Sequence, residues 1–188
     1  IFDAYTKQTS LDNILRGGYP ITIGNSGKAI YVYTRKHGDL ERDYNNFVVN
    51  PEFYSQGNGN FRDTNQNRRN SNYINPDVQT KDIKDFYDLI QLDGANPLVV
   101  KGDVFCIKSN TRLNTIVKMF FQRKDCVKVS GFLRGEFTPG DLIRFLETVA
   151  VKEKREHIVE EILKASYCHI DAEHGEGYWI DHWTYNMD

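Results

Sequence analysis

Between Gly57 and Asn70 the chain carries one apolar side chain, Phe61, among Gly, Asn, Gln, Arg, Asp and Thr. An element made of those residues has no apolar face of its own to bury, so it must stay in solvent or be held by other segments. The run lies inside residues 36 to 80, which are polar with Gly, Asn and Pro throughout, and the whole span reads as a long loop with the polar motif at its middle. A structureless loop of that length inside a compact domain is usually functional or disordered. The motif concentrates the planar forks of Arg62, Asp63, Asn65 and Gln66. Such forks suit sugar hydroxyls, which both donate and accept. A solvated Asn-rich turn is the alternative, because Gly and Asn also cluster in turns for backbone reasons.

The chain of 188 residues is long enough for one domain with a real core. Its hydrophobic fraction of 39%, with 11 Tyr, 11 Phe and 2 Trp, is globular rather than disordered. A balance of 24 basic against 26 acidic residues supplies no long-range attraction for a polyanion, which argues against nucleic acid as a partner. Cys106, Cys126 and Cys168 form no CxxC or other metal-ligand spacing, and their odd number fits reduced thiols in a cytoplasmic protein. No run approaches 18 apolar residues, so no membrane span is expected, and no charged-then-apolar leader opens the chain. The chain begins at Ile1 without Met and stops at Asp188 within an aromatic run, which reads as an excised piece of a longer protein.

Thr9 to Gly18 reads as a short helix, with Thr9 or Ser10 as cap and a glycine stop. Ile21 to Tyr33 reads as a hairpin around Gly24-Asn25-Ser26-Gly27, and residues 97 to 107 as an extended segment. Four further helices are expected. Lys81 to Leu92 has a possible Thr80 cap and an apolar face at 83, 86, 87, 89 and 90, with Phe86 and Tyr87 directed to the core. Leu113 to Phe121 is the second. Thr138-Pro139-Gly140-Asp141 opens the third, with Leu142, Ile143, Leu146 and Val149 as its stripe. Lys152 to Ser166 is the fourth, with Ile158, Val159, Ile162 and Leu163 inward and its charges on a solvated face.

A second chemically dense segment runs from His169 to Asn186, with carboxylates interleaved with Trp and Tyr. An aromatic ring packs on a sugar face, and a carboxyl in apolar surroundings has the raised pKa a general acid needs. Asp181, between Trp179 and Trp183, fits that role best. Two other readings stay open. His169, Glu173, His174, Asp181 and His182 are potential metal ligands, though without an HExxH or a Cys partner. An aromatic cluster closing a core, with Asp181 as a helix cap, is the structural alternative.

Arg62-Asp63-Thr64-Asn65-Gln66 resembles the Arg-Asp-x-x-Gln-Asp signature of glycoside hydrolase family 94, the cellobiose and chitobiose phosphorylases, and the chain is similar to longer bacterial cellobiose phosphorylase-like proteins. Asp181 follows Asp63 by 118 residues, a separation similar to that between the signature and the family's Trp-x-Asp general-acid segment, here Trp179-Ile180-Asp181. Asn67 stands where the signature has its final Asp, and Trp-Ile-Asp-His replaces the usual Trp-Asn-Asp, which points to a divergent branch or a neighbouring phosphorylase family.

The resemblance implies a mainly α fold, a segment of an (α/α)6 barrel to which the residues themselves add a small β-hairpin and long loops; α+β is the alternative. Residues 1–188 would then be a partial catalytic domain. It further implies inverting phosphorolysis of a β-glucoside to a sugar 1-phosphate, with Asp181 as general acid and Arg62, Asp63, Gln66 and Trp179 around the donor sugar. Inorganic phosphate is the co-substrate, no cofactor or metal is expected, and the family's phosphate loop lies further toward the C-terminus. Arg68 or Arg69 is a candidate to face phosphate, with solvation as the alternative. The implied partners are an oligosaccharide or disaccharide, with no nucleic acid or membrane, and a homodimer of the full-length protein as the assembly the family suggests. An inverting glycoside hydrolase and a non-catalytic carbohydrate-binding or structural module are the rival classes.

Overall fold

A computed structural model of the chain describes residues 2–33 and 49–175, together with Thr184 and Met187. Nearly half of the described residues are helical, and five strands form two small sheets.

Helix α1 (Phe2–Ile14) starts earlier than the expected Thr9 cap and ends, as the glycines predict, before Gly17 and Gly18. Gly18 has φ +90°, and a Cβ there would stand 2.9 Å from the Tyr33 ring, so only glycine passes at this point. Strands β1 (Tyr19–Thr22) and β2 (Ala29–Val32) pair antiparallel from Tyr19↔Val32 to Thr22↔Ala29, closing the expected hairpin. Ser26 Oγ donates to Ile23 O at 2.6 Å and fixes the turn.

The span read as a long loop is broken by structure. Strand β3 (Gly59–Asn60) leads directly into helix α2 (Phe61–Arg68), followed by the short helix α3 (Ser71–Ile74) and a 3-10 turn at Pro76–Val78. Helix α4 (Lys81–Asp88) is shorter than predicted, and the Thr80 side chain makes no cap bond. Of its expected apolar face only Phe86 is buried, with Leu89 packed beside it; Ile83 is 63% and Tyr87 46% exposed. Tyr87 is therefore not a core residue: the buried residues of α4 are Lys81 and Phe86.

Strand β4 (Val99–Cys106) is the centre of the second sheet, with β3 on one side and β5 (Tyr167–Glu173) on the other, all antiparallel. Between them the chain forms α5 (Asn110–Phe120), α6 (Cys126–Arg134), α7 (Pro139–Leu146) and α8 (Arg155–Ala165). Helix α7 begins with a full capping box: Asp141 N–H donates to Thr138 Oγ1 at 3.1 Å, and Thr138 N–H to Asp141 Oδ2 at 2.9 Å. Ser109, not Leu113, opens α5, its hydroxyl accepting from Arg112 N–H. Helix α6 lies outside the sequence expectation. Val127, Val129 and Gly131 are weak helix formers, and burial of Val129 and Leu133 overrides them.

The main core lies among these helices and β4. It is built on Phe105, Leu113, Phe120, Leu133, Phe137, Leu142, Leu146, Ile158 and Ile162. Phe105 and Phe137 exchange both backbone hydrogen bonds at 2.9 Å, which ties the helical layer to the sheet. Each such side chain contributes roughly 1.5–3 kcal/mol on leaving water. Cys106, Cys126 and Cys168 are free thiols. Among the described residues no helix is long and apolar enough to cross a membrane.

Candidate functional site

The polar motif is held by Leu98, the residue that leads into β4. Leu98 N–H donates to Glu173 O at 2.8 Å, and Leu98 O accepts from Phe61 N–H at 3.0 Å. In register, Asn60 faces Val99, and Val99 faces Glu173. The start of α2 and the end of β5 thus flank the same end of β4, two strand spacings or about 10 Å apart. The run that reaches Trp179 and Asp181 continues from Glu173, but both residues lie outside the described ones.

Phe61 supplies the missing apolar anchor. It is fully buried and meets Phe86 edge-on, ring centroids 5.3 Å apart at 79°, with Val100 completing a small second core. With that anchor, a helix whose remaining residues are all polar is held so that none of its eight residues is exposed. Helical spacing sets Gln66 beside Arg62 and Asp63, four and three residues away. Asp63 is buried to 5% exposure in the first turn, where a carboxylate suits the positive helix end. Arg62 Nε lies 3.6 Å from Asp63 Oδ1, and Asn60 Nδ2 donates to Asp63 Oδ2 at 3.5 Å. Arg62 and Gln66 are half-buried. The sequence-predicted residues Arg62, Asp63 and Gln66 are therefore brought together on a helix rather than on a loop.

Arg68 is not placed to meet phosphate in solvent. Its guanidinium lies 3.8 Å above the Tyr31 ring and 5.7 Å from the Phe86 ring, and Nε donates to Gly17 O at 3.3 Å. Tyr31 in turn donates its hydroxyl to the Asp82 carboxylate, at 2.6 and 2.5 Å from the two oxygens. Burial raises the pKa of Tyr31 and of Tyr33, with the Arg68 charge opposing in both. Arg68 is thus a strut between α2 and the hairpin. Arg69 is exposed, its Nε donating to Gln66 O at 3.1 Å.

A second polar cluster lies behind the motif. Lys81, 7% exposed, pairs with Asp85 and, at 3.1 Å, with Asp103, which is 2% exposed. Burial acts to lower the Lys81 pKa, and the charges of Asp103 and Asp85 override it and raise it. Burial pushes the Asp85 carboxyl up to about 6 against the pull of Lys81. Cys168 Sγ donates to Asp103 Oδ1 at 3.4 Å, and burial with that carboxylate pushes the thiol up. The Asp103 backbone is clamped by Gln56, whose Nε2 donates to Asp103 O at 2.7 Å while Asp103 N–H donates to Oε1 at 2.8 Å. The adjacent Gly102 has φ +122° at the register shift of β4, and a Cβ there would press on the Gln56 side chain at 3.0 Å.

The His-rich segment is divided among separate partners. His169 Nε2 faces Glu136 at 3.5 Å, Lys101 pairs with Glu173 at 3.4 Å, and His174 Nε2 contacts Leu89 O at 3.3 Å. No group of three His, Cys, Asp or Glu among the described residues is arranged to hold a metal ion.

The sequence reading missed Lys81, Asp85 and Asp103. An acid inside the apolar run Val99 to Cys106 is the signal that was available. Comparison of the chain with protein-family models, with curated proteins and with solved structures found no match.

Proposed function

We propose that this chain is part of the catalytic domain of an inverting carbohydrate phosphorylase, a slice of an (α/α)6 barrel, acting on a β-linked glucoside with inorganic phosphate. The observation that carries this function is the double hydrogen bonding of Leu98, to the first residue of the Arg62-Asp63 helix and to Glu173, eight residues before Asp181. The Arg62-Asp63 helix and the end of β5, from which the chain runs on toward Asp181, lie on either side of one strand, and this supports the reading.

In this mechanism Asp63 and Arg62 fix each other's geometry and engage donor-sugar hydroxyls, with Gln66 one turn on and Trp179 as the stacking wall. Asp181 transfers its proton to the glycosidic oxygen as the bond from that oxygen to the anomeric carbon breaks. A phosphate oxygen bonds to the same carbon from the opposite face, giving the inverted sugar 1-phosphate and the Asp181 carboxylate, which regains its proton from solvent. Phosphate takes the place of the base-activated water of an inverting hydrolase, so one catalytic carboxylate suffices. The chain alone is expected to turn over no substrate.

The test is release of glucose 1-phosphate from β-linked disaccharides and glucans by the full-length protein, with and without phosphate, beside its Asp181→Asn variant. Release that needs phosphate and disappears in the variant is the expected result. Sugar release without phosphate would make the protein a hydrolase, and binding without turnover in either protein would make it a carbohydrate-binding module.

A further inference from the structure

Away from the motif, a cavity of about 540 Å³ opens between the hairpin turn, α4, the start of α5 and the start of β5. That volume is in the range of small-molecule sites. It reaches β4 at Asp103, four residues and about 13 Å along the strand from Val99, so it is separate from the α2 motif. Its wall carries five Lys and Arg side chains against three Asp, in a chain whose formal net charge is −2. Asp85 and Asp103 are both engaged by Lys81. Lys28, Lys84, Lys108 and Arg112 are then opposed at the wall by Asp88 alone, and among the described residues none of the four makes an ion pair.

Two of these cations, Lys28 and Lys108, are held in place. Lys28 donates to the carbonyls of Leu163 at 3.0 Å, Lys164 at 2.8 Å and Ser166, at the C-terminal end of α8. Lys108 Nζ stands 3.5 Å over the Tyr167 ring. Arg112 sits in the first turn of α5, close enough for its charge to add to burial in lowering the Lys28 pKa, with Cys168 opposing. In that turn Arg112 N–H is taken by Ser109 Oγ and Leu113 N–H by Ser109 O. The N–H groups of Asn110 and Thr111 have no partner among the described residues. His169, also on the wall, has a buried Nδ1 without a hydrogen-bond partner among them.

From this arrangement we infer that the cavity binds a phosphomonoester, its phosphoryl group held by Arg112 and Lys108 and by the open first turn of α5, with Lys28 adding its charge to the wall while its three N–H groups stay on the α8 carbonyls. A phosphoryl dianion matches such a site because it offers three acceptor oxygens to charged forks and helix N–H groups together. Gln79, Thr80 and Asp88, on the α4 side, face the body of the ester with groups suited to hydroxyls.

Isothermal titration of the full chain with glucose 6-phosphate, inorganic phosphate and glucose tests the site, using wild type and the Arg112→Gln/Lys108→Gln double variant. Both substituted residues are exposed, and an unchanged melting curve checks that the variant folds. The expected result is binding of glucose 6-phosphate that weakens with added salt, falls at least tenfold in the double variant, and is absent for glucose. Inorganic phosphate binding as tightly as the ester would identify free phosphate as the ligand and overturn the ester; weaker binding supports it. No binding of either anion, equal binding by the double variant, or loss in Arg62→Ala instead would overturn the site. Because no readout requires turnover, its failure is distinct from failure of the phosphorylase mechanism.

Discussion

The two halves of this molecule are stabilised in opposite ways. The helical layer of α5 to α8 is closed by aliphatic and aromatic side chains, which in α5, α7 and α8 read directly as amphipathic stripes. The layer of α2 and α4 has Phe61, Phe86 and Val100 as its apolar cluster and relies on buried Arg68, Asp63, Lys81 and Asp103 for the rest, whereas Ile23 and Ile30 of the hairpin belong to the main core. Apolar burial is non-directional and tolerant of small rearrangement, whereas a buried charge is tolerable only while its partner stays in place. A layer built the second way is specified by geometry rather than by bulk. Such geometry is what a site for hydroxyls or anions requires.

Substitutions in each half can break that contrast. Asp103→Leu, which takes from Lys81 its most buried partner, is expected to cost about 3–5 kcal/mol in denaturant unfolding. Adding Lys81→Met should recover much of the loss, because an apolar pair of similar size tolerates burial where a lone charge does not. No recovery would mean the pair is not what holds this layer. In the helical half, Leu133→Ala should cost about 2–5 kcal/mol through the cavity it leaves, equally at pH 5 and pH 8. A strong pH dependence of that loss would erase the distinction.

Asp85 sharpens the comparison. Its folded pKa of about 6 lies above the unfolded 3.8, so the folded state binds the proton more tightly. The stability this group contributes is present below about pH 4 and is lost as pH rises through 6. Unfolding of wild type against Asp85→Asn should therefore show wild type losing ground between pH 4 and 6, by at most about 3 kcal/mol. A flat difference would show that burial does not perturb Asp85. The smallest effect is expected in the helical half, where Thr138→Ala should cost about 1 kcal/mol by removing the hydroxyl from the capping box, read from a thermal melt.

The same contrast decides what could be read from the sequence. Helix α7 is legible because cap, proline and apolar stripe are all local, and α8 because its apolar stripe is. Helix α2 is not, because its helical state depends on Phe61 reaching Phe86 and on Leu98 pairing with Phe61, both contributed by distant segments. Strand β5 was readable in principle: Cys168, Ile170 and Ala172 alternate with His169, Asp171 and Glu173, a period-two pattern hidden by the chemistry of its polar members. Arg62, Asp63 and Gln66 came from a local motif. Lys81 and Asp103 are 22 residues apart, on a helix start and a strand, and only the tertiary structure pairs them.

The most direct measurement is phosphate-dependent formation of sugar 1-phosphate by the full-length protein carrying Arg62→Lys, which keeps the charge at the head of α2 but removes the planar fork. The account predicts an unchanged melting temperature with at least a hundredfold loss of kcat/KM. Turnover equal to wild type, or wild-type sugar release that does not depend on phosphate, would contradict it.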